Sequence, residues 1–347
     1  MFPREYRGVA VAVVLFLLVQ LGALALVQTF FSQGYQAVED PSDPTNSIVY
    51  IGAVLVATVF FLAAFKYDLD WVVKVVIVGT SGLLSWYVFT AVVSAGVAAV
   101  LGAGVSVTLW VYPEWYVVDT AGVLMGAGAA GLFGITFGLL PAVVLLSVLA
   151  VYDAISVYKT EHMLDLADGV MDLRIPVILV IPLTLSYSLL EDVGGDDDSD
   201  DEDSEDADDT ASDDDSEETA AGDDDSDNND DSDGKDSASD ITPGDDEREA
   251  FFIGLGDAVI PTVMVASAAF FSAAPQYAVP VIELNAPALG ALVGTLAGLL
   301  VLMSMVMKGK PHAGLPLLNG GAIGGYLLGA LSVGIPLVEA LGLTGFL

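Results

Sequence analysis

The stretch Phe251-Phe252-Ile253-Gly254-Leu255-Gly256-Asp257-Ala258-Val259-Ile260 decides how this chain is built. It opens an apolar run that continues to about Phe271, and it sets an aspartate behind two glycines inside that run. An ionisable group in hydrocarbon costs roughly 2.5–3.5 kcal/mol on insertion scales, so its presence marks a functional position. A second such aspartate, Asp153, stands in Val151-Tyr152-Asp153-Ala154, near the end of another apolar run. Two lone carboxylates on different membrane helices are what the rest of the sequence must accommodate.

The 347 residues are 54% hydrophobic, the mean hydropathy is +0.67, and apolar runs of about twenty residues recur, the length that crosses a bilayer core. The expected fold is therefore an all-α polytopic membrane protein. Cysteine is absent, which excludes disulfides, thiolate metal sites and a cysteine nucleophile. His162 and His312 are too few for a histidine-rich metal site. No metal or other cofactor is expected, and no nucleic-acid partner is expected of so acidic a chain.

The net charge of −37 is concentrated: 31 of the 47 acidic residues lie between Glu191 and Glu249. That segment of Asp, Ser, Glu, Gly and Thr cannot build a core and reads as a disordered, solvated loop. Such acidity beside only ten Lys and Arg suits a cytoplasm at high salt, where screening tolerates dense charge, and suggests a haloarchaeal source.

Outward from the two aspartates, nine spans are predicted. The first, from Gly8 to Phe31, is long for the apolar part of a signal peptide. The second runs from Ile48 to Phe65, and the apolar run from Trp71 to Trp110 divides near Ala91 to Ala95 into the third and fourth. The fifth runs from Tyr116 to Phe137, with Gly126, Gly128, Gly131 and Gly134 read as close-packing residues and not as a phosphate loop. The sixth spans Leu139 to Tyr158 and carries Tyr152 and Asp153. An amphipathic segment over 160–190 follows, with Asp165, Asp168 and Asp172 facing water. Its apolar part from Ile175 to Leu190 is too short and proline-broken to cross. The seventh begins at Phe251, the eighth covers Val281 to Met307, and the ninth Leu315 to Glu339. Residues 1–190 and 250–347 thus form two membrane bundles joined by the loop 191–249.

Charge tests this count. With the N-terminus inside, Arg4, Arg7, Lys66, Lys74, Lys159, Arg174, Lys235, Arg248, Lys308 and Lys310 all fall on the cytoplasmic side, as the positive-inside bias requires. Eight or ten spans would put some of them outside. The acidic loop is then cytoplasmic and the C-terminus extracytoplasmic, in a multi-pass protein of the cell membrane.

On this topology the antiparallel sixth and seventh spans bring Asp153 and Asp257 to similar depth near the cytoplasmic side. Two adjacent carboxylates in low dielectric cannot both ionise, so one holds a proton and the other is a base. That pair suits hydrolysis of a peptide bond by an activated water. Gly254 and Gly256 leave backbone uncovered where an extended substrate and water can approach, Leu255 faces either substrate or a packing seam, and Tyr152 sits beside the site. Pro261, four residues after Asp257, frees a backbone carbonyl near the carboxylate. Asp119 and Glu114 near one end of the fifth span, and Glu283 and Glu339, read as interfacial.

With Tyr152-Asp153 and Gly254-Leu255-Gly256-Asp257 on successive spans separated by a long hydrophilic loop, the chain resembles the presenilin and signal peptide peptidase family of intramembrane aspartyl proteases, in its archaeal branch. The resemblance covers essentially the whole chain. It implies nine helices, catalysis by Asp153 and Asp257, and a third element, Pro-Ala-Leu, at the start of the last span. Pro287-Ala288-Leu289 matches that element literally but opens the eighth span. The corresponding position is Gly314-Leu315-Pro316, which departs from the pattern and puts the details of substrate positioning in question. Expected partners are the lipid bilayer and single-span transmembrane peptides or remnant signal peptides that unwind locally; self-association is left open. The competing reading is a secondary transporter using paired carboxylates, which lacks support from any internal repeat. A prepilin-peptidase-like protease, which also uses Gly-x-Gly-Asp, would have fewer spans.

Overall fold

Apolar runs become helices in the computed structural model of this chain because in lipid every backbone group must be satisfied locally. The structure describes residues 4–67, 69–159, 178–182, 188, 250–307 and 313–343. The elements in order are α1 (Arg4–Ser32), α2 (Thr45–Lys66), α3 (Asp70–Thr90), α4 (Ala95–Val111), α5 (Trp115–Thr136), α6 (Leu139–Lys159), β1 (Ile178–Pro182), β2 (Ala250–Gly254), α7 (Leu255–Phe271), α8 (Ala286–Val306), α9 (Leu315–Ser332) and the single turn α10 (Leu337–Ala340). Among the described residues seven helices, α1, α2, α3, α5, α6, α8 and α9, have the length and apolar composition of a span. The two others, α4 and α7, are apolar but only 17 residues long. The amphipathic residues 160–177, the acidic segment 191–249 and the bases at 308 and 310 lie outside the described residues.

The fold departs from the all-helical expectation at the stretch that opens α7. Residues 250–254 form a strand, not the first turn of a span, and pair antiparallel with β1 from Ile178↔Gly254 to Pro182↔Ala250. Phe251-Phe252-Ile253 and Ile178-Leu179-Val180-Ile181 are β-branched and aromatic runs too short for periodicity to separate strand from helix. The ribbon is covered by protein on its β1 side: Leu179, Val180 and Ile181 are buried, as is Ile253 of β2, whereas Phe252 and Gly254 on the β2 side are exposed. Extended backbone at membrane depth is tolerated only under such cover. Residues 178–182 thus form a short buried strand and not a full span.

Two further boundaries shift for local reasons. Val281 has φ +71°, a left-handed value no helix can contain, so α8 starts at Ala286 and not at Val281. At the other end Gly334 takes φ +82° and the amides of Gly334 and Ile335 donate back to Leu331 and Ala330, which closes α9 at Ser332, short of Glu339.

The described residues pack as one unit. At its centre is α7, touched by α1, α5, α6, α8 and α9 and buried continuously from Pro261 to Ala269, as an all-round apolar helix should be. Its last carbonyls, Ala268 and Ala269, accept from the Asn285 side-chain amide, whose Oδ1 in turn accepts from the Ala288 N–H at the start of α8. One side chain thus caps two helices. Helices α8 and α9 meet backbone to backbone along Gly290, Gly294 and Gly298: a Cβ on Gly294 would run into the Gly321 carbonyl. In lipid, where apolar contact alone does not drive helices together, such close approach supplies packing energy.

Candidate active site

Asp153 is the fifteenth residue of α6 and is buried at 8% exposure; Asp257 is the third residue of α7 and half-buried. Both carboxyl groups converge on the two residues that open α9. The Leu315 N–H donates to Asp153 Oδ2 at 3.0 Å. Beside it, a Cβ placed on Gly314 would lie 3.4 Å from Asp257 Oδ2 and 3.7 Å from its Cγ. The two aspartates flank a single backbone corner.

Each element delivers its piece for a local reason. The first amides of α9 have no partner within the helix, so Leu315 N–H is free to hold Asp153, while Pro316 occupies a position where its missing N–H costs nothing. Gly314 has helical φ −77° and ψ −47°, so its lack of a side chain matters for space and not for backbone freedom. In α7, Pro261 has no N–H to give the Asp257 carbonyl four residues earlier, which leaves that carbonyl without its helical bond beside the carboxylate.

Gly254 and Gly256 are both exposed. The nearest atom to a Cβ on Gly256 would be Ile260 Cδ1 at 4.0 Å, so the backbone on that side of Asp257 is open. Leu255 between them turns inward onto α5, where its Cδ1 would lie 3.3 Å from a Cβ on Gly126, so of its two expected roles it takes the packing seam. Tyr152 is 51% exposed and, among the described residues, makes no hydrogen bond to either aspartate. Successive helical residues point about 100° apart, so a neighbour of Asp153 need not share its direction. Pro287-Ala288-Leu289 sits at the N-terminus of α8 against Gly329. That glycine is fourteen residues, about 21 Å, along α9 from Leu315, so the literal Pro-Ala-Leu is remote from both carboxylates.

Two acidic residues near this region were misjudged from sequence. Glu114, read as interfacial, is buried and its Oε1 accepts the Ser188 hydroxyl at 2.8 Å. Asp119, read as interfacial, is only 6% exposed and accepts the Val180 N–H of β1 at 2.8 Å. Nothing in the linear order of Asp119 and Val180 signals that contact. Among the described residues no group of three or more His, Cys, Asp or Glu is arranged to hold a metal ion.

A helical membrane fold with two aspartates flanking one backbone corner suits a membrane-embedded aspartyl enzyme, and comparison with known proteins supplies the class. The family model described as signal-peptide peptidase, presenilin aspartyl protease matches residues 13–335. The chain belongs to that family and is an aspartic-type intramembrane endopeptidase. It is similar to two solved structures, each of a presenilin family intramembrane aspartate protease. One, in space group C222, is 28% identical with a TM-score of 0.58, covering 93% of this chain and 99% of the other. The second, in space group P2, is 29% identical with a TM-score of 0.53, covering 92% and 96%. Comparison with curated proteins gives no match.

Proposed function

We propose that Asp153 and Asp257 act as one catalytic pair that hydrolyses peptide bonds of single-span membrane substrates or remnant signal peptides. One carboxylate takes a proton from a water held between the pair, while the other, protonated, donates to the scissile carbonyl oxygen as the hydroxide adds. The tetrahedral species collapses when the amide nitrogen receives a proton from the first aspartate and a gem-diol hydroxyl returns a proton to the second, breaking the C–N bond, releasing carboxylic acid and amine products and restoring the singly protonated pair. Neither a metal nor a covalent intermediate takes part.

The observation that carries this proposal is the convergence of both carboxyl groups on Gly314-Leu315. A second feature supports an extended substrate. In an antiparallel ladder both polar groups of a residue point the same way. The Val180 N–H is turned away from β2 toward Asp119, so its partner Phe252 directs its N–H and C=O away from β1. That edge leads through exposed Gly254 and Gly256 to Asp257, and a locally unwound substrate strand laid along it would present a bond to the pair. Tyr152, half exposed beside Asp153, meets a substrate arriving from that side.

In the cell membrane nine spans with the N-terminus and acidic loop cytoplasmic keep every Lys and Arg inside. The pair then works near the cytoplasmic face. The test is cleavage of a single-span peptide by purified protein in detergent. Asp153→Asn and Asp257→Asn are each expected to lower the rate by about 10^3-fold or more, with unchanged thermal unfolding. Full activity in either variant would remove the pair from the chemistry.

A further inference from the structure

We propose that Asp119 is a positioning residue: through the outer edge of β1 it holds the ribbon that sets Asp257 in register. The proposal rests on the proteolytic reading above for its catalytic consequence, though not for its structural part.

The anchor is built along one face of α5. Asp119, Gly122 and Gly126 are spaced i, i+3 and i+7 and so lie in one stripe. Asp119 Oδ1 receives the Val180 N–H at 2.8 Å. One turn on, Gly122 makes room for Leu179, whose Cδ2 would stand 3.0 Å from a Cβ there. A further turn on, Gly126 receives Leu255. The stripe therefore grips β1 by its backbone and one side chain, and grips the first residue of α7 directly. Between these grips the ladder pairs Val180 with Phe252 and Leu179 with Ile253, a few residues before Asp257.

The chemistry explains why an acid stands here. The edge N–H of a strand buried among membrane helices has no water to bond, and a carboxyl oxygen is a strong acceptor for it. A carboxylate serving only as an interfacial group would be turned to water, yet this one is buried. Strand register is a two-residue alternation, so a slip of one position would turn Ile253 outward and move the backbone that leads to Asp257. Pinning one N–H of β1 to a helix that also seats Leu255 suppresses that slip.

Three variants of the full chain separate this role from a general structural one: Asp119→Ala, which loses the acceptor, Asp119→Asn, which keeps an acceptor oxygen, and Gly122→Ala, which crowds Leu179 without touching the carboxylate. The readouts are kcat and KM on a single-span peptide, the masses of the released products, and amide hydrogen exchange of the peptide containing Val180. Asp119→Ala is expected to lower kcat about 10- to 100-fold with KM little changed, to release products cut at additional bonds, and to lose protection at Val180. Asp119→Asn should recover most of the rate, the cleavage pattern and the protection. Gly122→Ala should reproduce the scattered cuts even if Asp119→Ala proves too poorly folded to assay.

Unchanged rates and cut sites in both Asp119→Ala and Gly122→Ala would overturn the proposal. So would an Asp119→Asn protein that keeps Val180 protected yet is as inactive as Asp119→Ala, because the charge and not the bond would then matter. If the wild-type protein cleaves nothing, the proteolytic reading fails by itself. The exchange measurement then still decides the anchor: protection lost in Asp119→Ala and kept in Asp119→Asn upholds it, and protection kept in Asp119→Ala refutes it.

Discussion

Replacing Gly314 by alanine should separate activity from stability. The backbone at Gly314 is helical, with φ −77° and ψ −47°, so alanine fits it without strain. Removing the glycine's freedom in the unfolded chain contributes about 0.4–1 kcal/mol in favour of the folded state. The new methyl, however, would lie 3.3 Å from Leu302 Cδ2 and 3.4 Å from Asp257 Oδ2. The first approach is tight, so Leu302 or the backbone must yield by a few tenths of an ångström, and the second is at van der Waals contact and takes away room for water beside the carboxylate. Misplacement of a catalytic group on this scale costs about 10- to 100-fold in rate, or about 1.4–2.7 kcal/mol on the barrier. The assay is kcat and KM on a single-span peptide in detergent beside a thermal unfolding curve. The expected result is a Tm equal to or above wild type with kcat down by one to two orders of magnitude. A Gly314→Ala protein that turns over at the wild-type rate would show that the close approach of α9 to Asp257 does not shape the site.

Two other substitutions probe the frame around that corner. Gly294→Ala drives a methyl into the Gly321 carbonyl and must part α8 from α9. Overpacking of this kind costs about 1–3 kcal/mol, to be read as a fall in Tm, and an unchanged Tm would mean that the seam is looser than it looks. Asn285→Ala removes the cap of α8 and the two hydrogen bonds its amide donates to carbonyls at the end of α7. A loss of about 1–2 kcal/mol is expected, and because the site is at the opposite end of α7, kcat per folded molecule should stay near wild type. A matching loss of kcat would refute that independence.

Much of the framework could be read from the residues in order. Helix positions follow from apolar length, which is a local property, although the ninth span, expected to reach Glu339, closes at Ser332 where the Gly334 backbone turns left-handed. Asp153 and Asp257 stand out for the same local reason: each is a charge where its neighbours are apolar. The choice of Gly314-Leu315-Pro316 over the literal Pro287-Ala288-Leu289 rested on the family resemblance, which puts that element at the last span; in the structure Gly314 and Leu315 lie beside the two carboxylates and Pro287 lies against Gly329.

What escaped the sequence is what depends on partners far along the chain. Phe251 to Gly254 could be helix or strand by composition, and the choice is made by Ile178 to Pro182, which lies on the far side of the acidic segment. The inward turn of Leu255 depends on two glycines of α5, and the outward turn of Tyr152 on the direction α6 takes against its neighbours. Asp119 looked like an interfacial acid until β1 brought the Val180 N–H within 2.8 Å of it. The sequence by itself determined where the chain prefers hydrocarbon and which charges violate that preference, since transfer free energy is summed residue by residue. Only the tertiary structure decided which backbone groups meet which side chains, since hydrogen bonds in a water-poor interior form between whatever the packing places within reach.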